Sequence, residues 1–195
     1  MFARLQLGWD DLSGLNAMHK GLSRLEPRRV RLIGARALNR AGDQGRTQSV
    51  QALTEQTGLT SRYIRRQYKT GRANQGKLLY EVNAQGGDIA LKHFDARETR
   101  RGVSANPFGH RRVFKGTFVK GGRFPARTVL NMGGQVFTRV SGVRLPIEKQ
   151  MSGVVLPEQM IVGASKQAWL STVDRVLPSR FEHELERETG GIFSK

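Results

Sequence analysis

The chain has 195 residues, 37% of them apolar, no cysteine, and a net charge of +17 from 33 Lys and Arg against 16 Asp and Glu. That composition fits one domain with extended arms, excludes disulfide and cysteine-metal scaffolds, and makes a polyanion the first partner to consider. No apolar run approaches the roughly 20 residues of a spanning helix, so no membrane partner is expected.

Asp10 and Asp11 interrupt the stretch where a signal peptide needs an apolar core, so none is expected; residues 1–20 read as an N-terminal arm. Within it, Leu5 onward suggests a short strand or arm, and Leu12, Leu15, Met18 and Leu22 fall at helical spacing. Residues 28–70 form a basic helical segment. Twelve Lys and Arg lie between Arg28 and Lys77 against only Asp43 and Glu55. Such a block either meets phosphate directly or docks on a protein assembly through which nucleic acid passes. Pro27 suits the first turn of its long helix, and Val30, Ile33, Ala37 and Ala41 share a face that Val50, Leu53 and Thr57 resume. Gly42 and Gly45 between them mark a kink, a close helix crossing or a break. Gly58 terminates the helix, and Thr60 or Ser61 caps a second short helix reaching Lys69.

After the loop 70–76 the period changes to that of strands, and residues 77–149 read as a mostly antiparallel β-sheet region. KLLYEVN (77–83) and DIALKHF (88–94) suggest a hairpin or two neighbouring strands. The polar stretch 95–109 reads as a long loop or mobile arm. Residues 111–119 read as a strand with Gly116 at a bulge, 128–140 as two strands around an NMGG turn, and 144–149 as an edge strand carrying Pro146. Phe114, Phe118, Phe137 and Val140 are the expected sheet core. Residues 157–189 return to helical spacing, with Trp169 as the anchor and Pro178 kinking or restarting the helix. The acidic run Glu182, Glu184, Glu186 and Glu188 is a solvated face or balances a basic neighbour. The fold class is therefore α+β: N-terminal long helices, a mostly antiparallel sheet with extended loops or arms, and a C-terminal helix.

Catalytic patterns are missing. There is no Walker loop, no nucleotide-binding glycine fingerprint after a strand, no GxSxG and no HExxH. His19, His93, His110 and His183 are scattered without ligand spacing, so no metal, no cofactor and no catalytic residue is assigned. One binding motif competes: residues 48–67 resemble a helix-turn-helix, with Gly58 in the turn and Leu53, Leu59 and Ile64 as core. Ser61, Arg62, Arg65, Arg66 and Gln67 would then face a groove. Thr54, Thr57 and Gln67 depart from that pattern, each polar where an apolar or small residue normally packs.

An ordered set of motifs carries a wider resemblance. It runs from ARALNRAGDQGRTQSVQALTEQTGL (35–59) and IRRQYK (64–69) through KLLYEV (77–82) and IALKHF (89–94). It continues with the block 111–158, containing GTF, VFTRV and RLPIEK, and a terminal amphipathic helix. Over residues 20–190 the chain resembles the prophage minor tail protein Z family of long-tailed phages. The resemblance implies a non-enzymatic virion protein, made in the host bacterial cytoplasm, that completes the tail at its head-proximal end. It further implies a homo-oligomeric ring, hexameric to match the tail tube, beside the tail terminator and the head–tail connector (stopper or adaptor) proteins, with packaged double-stranded DNA passing through. Dispersed cations with few interleaved aromatics suit contact with the DNA backbone rather than base reading. The candidate contacts to DNA or to an acidic ring are Arg62, Arg65, Arg66, Lys69 and Arg72, with a second patch at Arg97, Arg100, Arg101, Arg111 and Arg112. The runner-up is a DNA-binding regulator using residues 48–67.

Overall fold

The computed structural model describes residues 1–8, 26–123 and 125–189. The helix read around Leu12–Leu22 lies outside them.

Helix α1 spans Pro27–Thr57 and packs along its length, antiparallel, against α4, Gly163–Thr189. Pro27 occupies the first turn, where a missing N–H costs nothing. Gly58, at φ 75°, closes the helix by donating its N–H to the Thr54 carbonyl at 2.9 Å. The two mid-helix glycines neither kink nor break it. A Cβ on Gly42 would lie 2.4 Å from the Tyr80 ring, and one on Gly45 would lie 3.1 Å from Val173 and 3.2 Å from Trp169. Of the three readings, the close helix crossing is found at Gly45, whereas Gly42 makes room for Tyr80, a residue of the adjoining sheet. Small residues at Ala37, Ala41, Gly45 and Ser49 repeat every four positions, and this row lets the two helices approach. Ser49 and Ser165 exchange a hydrogen bond at 2.9 Å inside the crossing, so both buried hydroxyls are satisfied. Helix α4 does not restart at Pro178 but continues through it, with the proline on its exposed side. The C-terminal segment is nevertheless two helices: a short α3, Leu156–Met160, is separated from α4 by Ile161 and Val162.

Across the other side of α1 lies a three-stranded antiparallel sheet of β1 (Phe2–Gly8), β2 (Tyr68–Gly71) and β3 (Leu79–Gln85), in the order β1-β3-β2. Its register places Ala3 opposite Ala84, Leu5 opposite Val82 and Leu7 opposite Tyr80, and all six are buried. The period of two thus puts one apolar face on the helices. The start of the N-terminal arm is therefore an edge strand of the core sheet. Of the expected loop 70–76, Thr70 and Gly71 belong to β2, and the rest is pinned to α1: the Asn39 amide both donates to the Ala73 carbonyl and accepts from its N–H, each at 2.9 Å.

Beyond Gln85 the structure departs from several expectations. β3 and β4 (Asp88–Ala90) are not partners; β4 turns away to pair with β13 (Met151–Val155). The stretch read as a loop or mobile arm holds β5 (Arg97–Thr99) and β6 (Gly102–Ala105), which continue into β7 (Arg112–Lys115) as a meander. Its inward residues Val103 and Ala105 are fully buried, an apolar pair too short to stand out amid the surrounding charges. The strand expected at 111–119 is divided at Gly116: β7 pairs with β6, whereas β8 (Thr117–Phe118) pairs with β11 (Phe137–Arg139). The chain changes sheets there rather than bulging within one. β9 (Lys120–Gly121) pairs with β10 (Thr128–Val129), so β10 and β11 are not partners across the NMGG turn. β12 (Ile147–Lys149) is an edge strand beside β11, as Pro146 suggested.

These are several small antiparallel sheets, not one. Strands of two or three residues offer too little pleated surface for a layered core. Of the four residues expected to build it, only Phe137 is buried, while Phe114, Phe118 and Val140 are half-buried. The main core instead joins α1, α4 and the first sheet through Leu38, Leu53, Tyr80, Phe94, Trp169 and Phe181. Trp169 is buried in this core, against Gly45 and near Tyr80, rather than anchoring the sheet core of phenylalanines it was expected to hold. The α+β class holds.

Candidate nucleic-acid or assembly interface

The cations sort into three places. The first is the outer face of α2 (Ser61–Gln67), a two-turn helix capped by Thr60, whose hydroxyl accepts from the Tyr63 N–H at 3.3 Å. Only Ile64 of this helix is buried. Arg62, Arg65, Arg66 and, just beyond, Lys69 are exposed and form no ion pair with a described residue. Leu53, Leu59 and Ile64 are core residues, as a helix-turn-helix requires, but α2 enters β2 directly at Tyr68. Seven residues committed at one end to a sheet make a poor recognition helix for a major groove. The regulator reading has no supporting geometry.

The second place is a groove between α1 and α4, and the sequence reading missed most of it. Arg36, Arg40, Arg72, Arg180 and His183 line one stretch of about 440 Å³, and Arg40 and Arg175 line the next, of about 390 Å³. Arg72 belongs here, not with the α2 patch. It reaches Asp43 of α1 at 2.5 Å, and the other carboxylate oxygen of Asp43 accepts from the Tyr80 hydroxyl at 2.8 Å. Burial, followed by that hydrogen bond and the Asp43 charge, pushes the Tyr80 hydroxyl well above its usual range, so it remains a donor. Arg36 pairs with Glu188 at 2.5 Å and lies 3.7 Å from Glu184, so part of the acidic run does balance a basic neighbour. Only the crossing of the two helices brings these residues together. The row of small residues on α1 was the available signal for that crossing.

The third place is the meander, where the expected second patch divides. Arg97 pairs with Asp95 at 3.1 Å, and Arg111 pairs with the same carboxylate. Desolvation pushes the Asp95 carboxyl upward, but hydrogen bonds and charge from these two arginines win and hold it below the usual range. Arg112 lies 4.7 Å above the Phe114 ring. Arg100 and Arg101, at the β5–β6 turn, instead line a cleft of about 160 Å³ with Lys120, Arg127 and Arg139. Nothing in the local sequence links those last three to the turn, since Lys120 and Arg139 come from β9 and β11 and Arg127 from the segment just before β10.

Among the described residues no three His, Asp or Glu side chains come together as metal ligands, and no helix is long and apolar enough to cross a membrane. The family model for prophage minor tail protein Z matches residues 12–192. The chain belongs to that family. No curated protein and no solved structure matches it. The resemblance read from the motif order is therefore confirmed, and with it a structural phage tail protein. In this minor tail protein Z family member, the candidate contact residues lie at three places around one core.

Proposed function

We propose that this protein completes the phage tail at its head-proximal end and helps join tail to head, as a hexameric ring around the channel through which the packaged DNA passes. Its neighbours would be the tail terminator and the head–tail connector, the stopper or adaptor proteins. The observation that carries the reading is the α2 face: Arg62, Arg65, Arg66 and Lys69 project outward with no ion pair among the described residues, in a chain of the minor tail protein Z family. Unpaired surface cations repel one another and are retained at least cost where a polyanion or an acidic neighbour meets them. A channel wall must attract a duplex without gripping its bases, and arginines contacting phosphate do this without reading sequence.

Cryo-electron microscopy of the neck of purified virions, with sixfold averaging, tests the proposal. The expected result is six copies beside the tail terminator with α2 facing the lumen. Six copies with α2 buried between subunits would keep the placement and overturn the lumen assignment. Absence of the chain from the neck would overturn the placement itself.

A further inference from the structure

We propose that the cleft at the β5–β6 turn is a phosphate-binding site for a nucleic-acid backbone, formed by Arg100, Arg101, Lys120 and Arg139. It deepens the proposed function and rests on that reading only for the source of the nucleic acid.

The cleft is built before any ligand arrives. Thr99 fixes the turn: its hydroxyl donates to the Gly102 carbonyl at 2.8 Å and accepts from the Arg101 N–H at 3.3 Å. The Arg101 carbonyl accepts from the Gly116 N–H at 3.3 Å, tying the turn to the corner where the chain leaves β7 for β8. Gly102 has φ 144°, and a Cβ there would lie 2.1 Å from the Phe114 carbonyl oxygen, so the turn sits directly on β7. On the opposite wall the Arg139 guanidinium lies 5.1 Å above the Phe118 ring and donates to the Arg144 carbonyl at 3.1 Å. Both contacts hold its position and leave its charge uncompensated.

The carboxylate closest to this wall is already engaged. Glu98 pairs with Arg127 and accepts from the backbone N–H groups of Val119 and Lys120, at 3.3 and 3.2 Å. The other four cations that line the cleft form no ion pair with a described residue. A single incoming carboxylate would be satisfied by one guanidinium fork. Four cations from three chain segments match a ligand that carries repeated negative charge, such as adjacent phosphates. The one aromatic in the lining, Phe118, is occupied by Arg139, so no ring is offered for a base to stack on. Recognition is therefore of backbone and independent of sequence.

The test is fluorescence anisotropy of a labelled 20-base-pair duplex against the purified full chain across a salt series. The comparison is with the triple variant Arg100→Gln, Arg101→Gln, Arg139→Gln, and with the double variant Arg100→Gln, Arg101→Gln. The double variant touches only exposed turn side chains, so it keeps the test open if the triple variant misfolds by circular dichroism. Each lost phosphate contact should lower the slope of log affinity against log salt by about 0.9, so the slope should fall by about 2 in the double variant and nearly 3 in the triple. Two duplexes of unrelated sequence should behave alike. An unchanged slope in both variants would overturn the site. Binding of an oligoglutamate peptide, lost in the variants, with no duplex binding by the wild type would overturn the phosphate assignment in favour of an acidic protein segment. A changed slope in a chain absent from the neck would keep the cleft and remove the tail-completion reading. An unchanged slope in a chain present there would do the reverse.

Discussion

Two regions of this molecule are stabilised in different ways. The helical pair α1–α4 with the β1-β3-β2 sheet buries large side chains against one another, and some of its charges are paired internally: Arg36 with Glu188, Arg72 with Asp43, Lys77 with Glu81 at 3.2 Å. The segment 95–150 has twelve Lys and Arg against three acids, strands of two to four residues, and apolar side chains left outside. Val129 is 75% exposed and Leu145 68%. The first region supplies most of the core. The second adds a few buried side chains to that same core, Val103, Ala105 and Val136 among them, and is otherwise held by backbone turns and a few ion pairs. One chain thus carries a stability module and a contact module, and substitutions should separate them.

The largest separation should come from Trp169→Ala. Trp169 is almost fully buried against Gly45 and near Tyr80, with ring centroids 6.1 Å apart. The loss expected is about 3–5 kcal/mol, read from urea unfolding of the purified chain. A loss under about 1 kcal/mol would mean that the two helices are not the core's main support. Next is Gly42→Ala, where the added methyl meets the Tyr80 ring. Despite alanine's better helix propensity, about 1–3 kcal/mol should be lost by overpacking. A gain would show that the contact between α1 and β3 relaxes freely, and would sink the reading of Gly42 as a spacer.

The same division explains what could be read in advance. Helix α1 announced itself through Pro27, Gly58 and an apolar face that recurs along it, and β3 through a strand-like run, because their burial follows a regular period; β1 was read only from Leu5, as a short strand or arm. In 95–150 the pairing partners are set by glycine corners and by contacts between distant short strands. No window of sequence holds both members of β4–β13 or β8–β11. Candidate site residues followed the same rule. Arg62, Arg65 and Arg66 share one helix and stayed together. Arg97 and Arg111 were claimed by Asp95, Arg72 by Asp43, and the cleft around Arg100 and Arg101 drew in Lys120, Arg127 and Arg139 from distant segments whose meeting was not legible.

The contact module should respond in the opposite sense to the core. Val129→Ser together with Leu145→Ser removes exposed apolar side chains, so unfolding should shift by no more than about 0.5 kcal/mol per site. Incorporation of the double variant into tails, measured by complementation and immunoblotting of purified particles, should nevertheless fall. Normal incorporation would show that these side chains meet solvent in the assembled state as well, and the module would reduce to its charges.

The smallest effect probes the seam between the modules. His93, between β4 and β5, lies with its ring centroid 4.6 Å from that of Tyr63 on α2, so it touches the helical side while belonging to the chain that leaves it. Burial, helped by the positive charge of Lys92, lowers its pKa from the ordinary 6.5. The unfolded chain therefore binds this proton more readily than the folded one. As pH falls below 6.5 the unfolded state takes up the proton first and stability drops; above 6.5 both states are neutral and the contribution is flat. The urea midpoint should thus rise between about pH 5.5 and 6.5, and the rise should be weaker in His93→Gln, which cannot titrate. If His93→Gln keeps the full rise, other groups are responsible and the seam is not closed around this ring. A loss of the rise would place a neutral imidazole at the join, where a second cation beside Lys92 is not tolerated.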